Sequence, residues 1–258
     1  MIYFWGLLKA EFVKSIKLAF RYKFNTLFNI LFWAVLMVLL SHVLLRGKPE
    51  VKTWAFICSF MIWLIANNSF ISVVDSIVSE TVQGTIEQLY LNSRSFFTLL
   101  LVKGLVSSLI TIIQSVLTLF ICVLLVPSVQ ASLFIQWLSV LPLFLISIFS
   151  LIGLGIMCAS LALKYKSISS FYSMVSSIVF GILTYGAVFI SSKTALMLLF
   201  PFAEANADIQ QLLLRGSSLT PNTLTVILCN DGLYLLLGYL CLKFLIIKSK
   251  ESGSLSKF

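Results

Sequence analysis

The chain has 258 residues, 60% of them hydrophobic and only 10% charged, against about 25% charged in an average soluble domain. That excludes a soluble globular protein, and apolar runs far longer than the ~10-residue alternating strands of a membrane barrel exclude that class too. The formal net charge of +9 would suggest nucleic acid in a soluble chain. Here the basic residues flank apolar runs and leave no basic-aromatic surface for RNA or DNA, so they read as topology signals.

The composition describes one all-α membrane domain. Residues 1–24 come first and lack the features of a signal peptide: basic residues follow the first apolar stretch and no small-residue cleavage site appears. On a helix, Phe4, Trp5, Leu8, Phe12, Ile16, Ala19 and Phe20 cluster on one face, with Lys14, Lys17 and Arg21 opposite. That is the pattern of an amphipathic helix lying in the membrane interface. Residues 25–258 then form the transmembrane domain, with spans expected at 25–45, 54–74, 97–126, 132–163, 168–190 and 223–247.

Between the second and third spans lies a polar island, Glu80-Thr81-Val82-Gln83-Gly84-Thr85-Ile86-Glu87-Gln88-Leu89. Gly84-Thr85 suits the end of one helix and the start of another, with Thr85 as N-cap and Gln88 as its capping-box partner. Ile86 and Leu89 fall on one face of the short helix and Glu87 and Gln88 face elsewhere.

This stretch, Glu-x-x-x-Gly-Thr-Ile-Glu-Gln-Leu, resembles the signature of the type-2 ATP-binding-cassette (ABC) exporter permeases, matching at Glu80, Gly84, Thr85, Ile86, Glu87, Gln88 and Leu89. The family usually continues with Ser-Pro; this chain has Asn92-Ser93, and Arg94 replaces an apolar residue. The resemblance implies that the island is a cytoplasmic coupling helix docking on a separate ABC ATPase, with Gln83 beside it. It implies two ATPase copies and a second permease chain, making a homodimer or a related heterodimer. It also implies that the N-terminal helix connects to the ATPase side, and that the outer segment between the last two spans is re-entrant and caps the pathway.

Charge orients the chain independently. With the N-terminus inside, thirteen Lys and Arg residues lie on the inner side; only Arg46, Lys48, Lys52, Lys193 and Arg215 lie outside. This bias puts both termini and the Glu80–Leu89 island in the cytoplasm. The short loops and absent soluble domain suggest a bacterial inner membrane by analogy with the family.

Within the spans, Lys103 lies near the start of the third and is long enough to snorkel to the interface. Pro142 in the long fourth span predicts tilt, a kink or an interfacial start. Trp63, Asn67, Asn68 and Phe70 in the second span are candidates for a substrate pathway or for interhelical hydrogen bonding. Ser173, Ser177 and Gly181 give the fifth span a small-residue stripe, and Gly153 and Gly155 read likewise, for close helix approach or for a pore-facing surface. Asp231 lies about eight residues into the sixth span, roughly 12 Å deep, with Lys193, Arg215 or a proton as its expected partner. Thr220 and Pro221 suit the start of that span. Outside the spans, Ala195–Phe202 is apolar but too short to cross, and Ala203–Leu214 is an expected helix bearing Glu204 and Asp208 one turn apart.

No G-x-x-x-x-G-K-[ST], H-E-x-x-H or G-x-S-x-G occurs, so no catalytic residue, metal ligand or cofactor of this chain is expected. ATP and Mg belong on the partner ATPase. His42 is the single histidine, and the five cysteines (58, 122, 158, 229 and 241) sit in apolar runs without a C-x-x-C pair, as packing residues. The Phe- and Leu-rich spans suit an apolar or amphipathic cargo such as a drug, a membrane-active peptide or a lipid-like compound. A lipid-linked polysaccharide or teichoic acid precursor is the alternative cargo, and a scaffold or sensor without transport is the alternative class.

Overall fold

Lipid offers backbone N–H and C=O groups no hydrogen-bond partner, so each apolar run closes its own bonds by coiling into a helix. The computed structural model describes residues 2–44, 50–125, 131–165, 169–181, 200–215 and 221–251, and these contain nine helices and no strand. They are α1 (Ile2–Arg21), α2 (Lys23–Leu44), α3 (Glu50–Gln83), α4 (Ile86–Asn92), α5 (Phe96–Leu125), α6 (Ala131–Ala162), α7 (Ser169–Gly181), α8 (Ala203–Arg215) and α9 (Pro221–Glu251). Among the described residues five helices, α2, α3, α5, α6 and α9, are long and apolar enough to cross a membrane. The sequence reading expects six spans. Residues 168–190 of the expected fifth fall only partly within the described residues: α7 covers 13 of them, and the rest lie outside.

Helix α6 is the hub, packed against α3, α5, α8 and α9, while α1 and α2 lean on α5 and α7 leans on α3. The core runs through Phe70, Ile77, Leu100, Phe144, Ile148, Ile152 and Ile156, all buried. Backbones approach most closely where α6 has Gly153 and Gly155. A Cβ on Gly153 would lie 2.5 Å from the backbone of Tyr234 on α9; one on Gly238 would lie 2.7 Å from the Gly153 carbonyl oxygen. On the α3 side, a Cβ on Gly155 would come 3.0 Å from the Phe70 carbonyl oxygen. These small residues therefore set how near the helices lie, as the first of the two readings expects.

Two elements differ from the plain sequence pattern. Helix α1 places only part of its apolar face outward, at Trp5 and Phe20; Leu7 is partly buried against the core, and the helix packs along α5. It runs into α2 across Tyr22 without a loop, held by the Thr26 N–H donating to the Tyr22 carbonyl at 3.0 Å. Helix α8 is buried on one face: Ala205, Asn206 and Ile209 are inside, and the chain enters it through Phe202. Phe202 has φ 66°, a strained value for a residue with a side chain. Its ring is buried edge-on against Phe144, centroids 5.1 Å apart. Most of Ala195–Phe202 lies outside the described residues, as do Lys193, Thr220 and the His42 side chain.

Candidate functional site

Helix α3 continues to Gln83 and stops because Gly84 takes φ 74°, which costs glycine nothing and any other residue strain. The Thr85 N–H then reaches back to the Glu80 carbonyl at 3.0 Å, and the Gly84 N–H to the Thr81 carbonyl at 3.3 Å. This is the paired closure of a Schellman motif, which satisfies carbonyls that a helix end would otherwise leave orphaned.

Thr85 does not form the capping box read from the sequence. At φ −98° and ψ 0° its side chain makes no cap bond to α4. Its hydroxyl instead donates to Glu80 Oε2 at 2.5 Å, while Gln88 is exposed. A capping hydroxyl would accept from an α4 backbone N–H; here it donates instead, and the Glu80 carboxylate one turn before the glycine gives it a charged acceptor. Glu80 and Thr85 thus act as a clasp across the turn.

Helix α4 has one anchored side. Ile86 is buried in the core, and Leu89 and Tyr90 pack against it. Glu87, Gln88 and Leu91 are exposed, and so are Val82 and Gln83 just before the turn. At the exit, Ser93 turns extended (φ −90°, ψ 128°) while its N–H still donates to the Leu89 carbonyl. Ser95 Oγ then accepts from the Thr98 amide at 3.4 Å to start α5. So the exit needs no proline: two serines end one helix and start the next. Chemically the unit is a rigid peg with an acidic and apolar outer face, gripped at both ends by turns that join it to α3 and α5.

The second-span candidates divide between two sides of α3, because consecutive helical residues point about 100° apart. Asn67 Oδ1 accepts from the Ser176 hydroxyl of α7, the interhelical bond that an amide within a span needs. Asn68 faces a different side, into a groove of about 500 Å3 between α1, α2, α3 and α5, which also carries Glu11, Lys14, Asp75, Lys103 and Gln114. A narrow extension from Asn68 leads past Trp33, Thr111 and Thr118. Trp63 packs against Trp33 and Phe60, with ring centroids 6.2 and 5.0 Å away. Phe70 is fully buried in the core. Ser173 and Ser177 are exposed on α7, and the Ser177 hydroxyl donates to the Ser173 carbonyl at 2.9 Å.

Asp231 is buried between α9, α6 and α8, at 5% exposure. Its Oδ1 accepts from the Ser150 backbone N–H at 2.9 Å, where the sequence reading looked to Lys193 or Arg215; both of those side chains lie outside the described residues. It faces a cavity of about 10 Å3 with Glu204, Ser147 and Phe202, too small for cargo. On α8, burial raises the Glu204 carboxyl above its ordinary range, and the neighbouring Asp208 charge adds to this. Burial raises Asp208 as well, against a lowering hydrogen bond from Thr223.

Three features escaped the sequence pattern: the Glu80–Thr85 clasp, the polar groove around Lys103, and Ser150 as partner of Asp231. Only the first had a local signal, an acceptor five residues before a hydroxyl.

Comparison with protein families finds one described as ABC-2 family transporter protein, matching residues 46–242. The match takes in α3 to α8 and most of α9, and therefore the whole α4 unit. No curated protein matches the chain.

Proposed function

This chain belongs to the ABC-2 transporter family and is a multi-pass membrane permease component of an ABC transporter, a component that works with a separate ATPase subunit; from that premise we propose that α4 is its coupling helix and that cargo moves outward. The observation that carries the proposal is the mounting of α4. A seven-residue helix is anchored through Ile86, clasped to α3 by Glu80 and Thr85, and presents Glu87, Gln88 and Leu91 outward.

In this reading two ATPase chains bind ATP and Mg, close on each other, and push α4. The push passes through the Gly84 turn to α3 and through Ser93–Ser95 to α5. Two permease chains, identical or related, then shift from a state open to the inside toward one open to the outside, a shift in population set by which state the closed ATPases bind better. Both termini and α4 are cytoplasmic on the count of basic residues. The membrane is a bacterial cytoplasmic membrane by analogy with the family. The segment before α9 is re-entrant and caps the outer end of the pathway. Asn67 with Ser173 and Ser177 lines the pathway on the α7 side of α3, Asn68 and Trp63 line it on the groove side, and Phe70 and Asp231 move with them.

The cargo is an apolar or amphipathic compound: a drug, a membrane-active peptide or a lipid-like molecule. The groove of about 500 Å3 carrying both Lys103 and Asp75 favours a cargo with a polar head, which keeps a lipid-linked polysaccharide or teichoic acid precursor as the second reading.

The test is purification from native membranes in mild detergent, with mass spectrometry of co-purifying chains, for the wild type and Glu87→Lys. An ATPase with a P-loop that is lost in the variant supports coupling at α4. A folded chain that never brings an ATPase with it assigns the protein to the scaffold or sensor class.

A further inference from the structure

A second cavity, of about 540 Å3, lies between the exit of α4, the first turn of α5 and the last third of α9. Its lining has two charged side chains, Arg94 and Lys243, and no acidic one. Neither makes an ion pair among the described residues. Uncompensated like charges sharing one cavity attract an anion, because each would otherwise raise the potential felt by the other.

The rest of the lining is amphipathic. Tyr90 and Tyr239 bring ring and hydroxyl together, the combination favoured at a membrane–water boundary. Phe97 meets Tyr239 edge-on at 5.4 Å. Leu242 and Ile246 continue the wall, and beyond it α9 exposes Leu236, Leu240 and Phe244. The cavity thus has a cationic end at the terminus of the spans and an apolar track leading toward their middle. A soluble anion would match only the first half.

We propose that this cavity binds an anionic phospholipid, with the headgroup phosphate between Arg94 and Lys243 and the acyl chains along the exposed face of α9. The lipid would then sit against Ser93 and Ser95, the turn that joins α4 to α5. Only the choice of leaflet rests on the proposed function; the binding itself needs no ATPase.

The test uses the full chain, purified in mild detergent, stripped of lipid and given dioleoyl-phosphatidylglycerol or dioleoyl-phosphatidylcholine, with native mass spectrometry reading the lipid retained. The wild type should hold one phosphatidylglycerol in preference to phosphatidylcholine. The double variant R94Q/K243Q should retain it roughly thirty-fold more weakly, since each basic group near a lipid surface contributes a few-fold in affinity. Lys164→Gln, an exposed lysine outside the cavity, should change nothing. A double variant that melts like the wild type and keeps its phosphatidylglycerol would overturn the proposal. So would displacement of the lipid by millimolar inorganic phosphate, the mark of a simple anion site. Retention by the free chain but not by the chain purified with its ATPase would assign the cavity to that protein, again against the proposal. Should the double variant fail to fold, salt replaces it: phosphatidylglycerol retention by the wild type must fall steeply toward 0.5 M sodium chloride, where surface charge is screened, and an unchanged value refutes the site.

Discussion

The Thr85 hydroxyl donates to the Glu80 carboxylate at 2.5 Å across a turn in which Gly84 holds φ 74°. Two side chains and one backbone conformation thereby fix the angle between a 34-residue helix and a seven-residue one. A charge-assisted bond of this kind is worth about 1.5–3 kcal/mol. Thr85→Val should therefore loosen α4 without unfolding the bundle. Hydrogen exchange should show α4 amides opening about tenfold faster or more, with the α6 amides unchanged. Export per ATP hydrolysed should fall with them.

Gly84→Ala attacks the same joint through the backbone. An alanine at this φ is strained by about 1–2 kcal/mol. The expected result is a chain that purifies normally, binds its ATPase less tightly and exports less. Gly6→Ala serves as the contrast. Nothing lies within 4 Å of a Cβ there, and alanine in a helix is favoured over glycine by roughly 0.5–1 kcal/mol, so its melting temperature should stay level or rise.

The α6–α9 seam predicts the opposite behaviour to Gly6. Gly153→Ala would put a methyl group 2.5 Å from the Tyr234 backbone, and backbone cannot step aside as a side-chain tip does. Overpacking of this kind costs about 1–3 kcal/mol, and Gly153→Leu should abolish the folded monodisperse species. Thermal unfolding in detergent, followed by size-exclusion chromatography, measures both. A Gly153→Ala protein as stable as the wild type would mean that the seam opens freely.

Glu204 gives a pH signature. Burial, with the Asp208 charge second, raises its carboxyl above the ordinary value of 4.5. The folded chain holds this proton more tightly than the unfolded chain does. The stability so gained is complete below about pH 4.5 and is lost as the pH rises through the folded value. Glu204→Gln should therefore melt above the wild type at pH 8, with the gain vanishing at pH 4. Equal differences at both pH values would rule out the buried carboxylate as the cause.

How much of this was legible depended on how far apart the contributing residues lie in the chain. Gly84 announced the end of α3, and Ile86 and Leu89 the buried side of α4, because those signals sit within one or two helical turns. Gly153 and Gly155 announced close packing but not their partners, since Tyr234 and Phe70 are about eighty residues away on either side. Asp231 was conspicuous as a carboxylate in an apolar run; its acceptance of the Ser150 amide could not be read, because no pattern marks a backbone N–H of another helix. Thr85 is the N-cap of α4 by position, its carbonyl accepting from the Leu89 N–H at 3.0 Å, but the capping-box side-chain bonds do not form, because its hydroxyl is turned back to donate to the Glu80 carboxylate. Arg94 and Lys243 each looked like an ordinary topology charge, and only the fold puts them around one cavity.

Gly153 and Gly238 are opposed across the α6–α9 seam, each with the other helix's backbone where its own side chain would be. Such a joint has one register. Sliding α9 along α6 by a helical turn would drive a larger residue such as Tyr234 or Leu242 into a gap sized for hydrogen atoms. The two helices are therefore keyed, like teeth that mesh at a single setting, so that a displacement of α6 carries α9 with it as a slab.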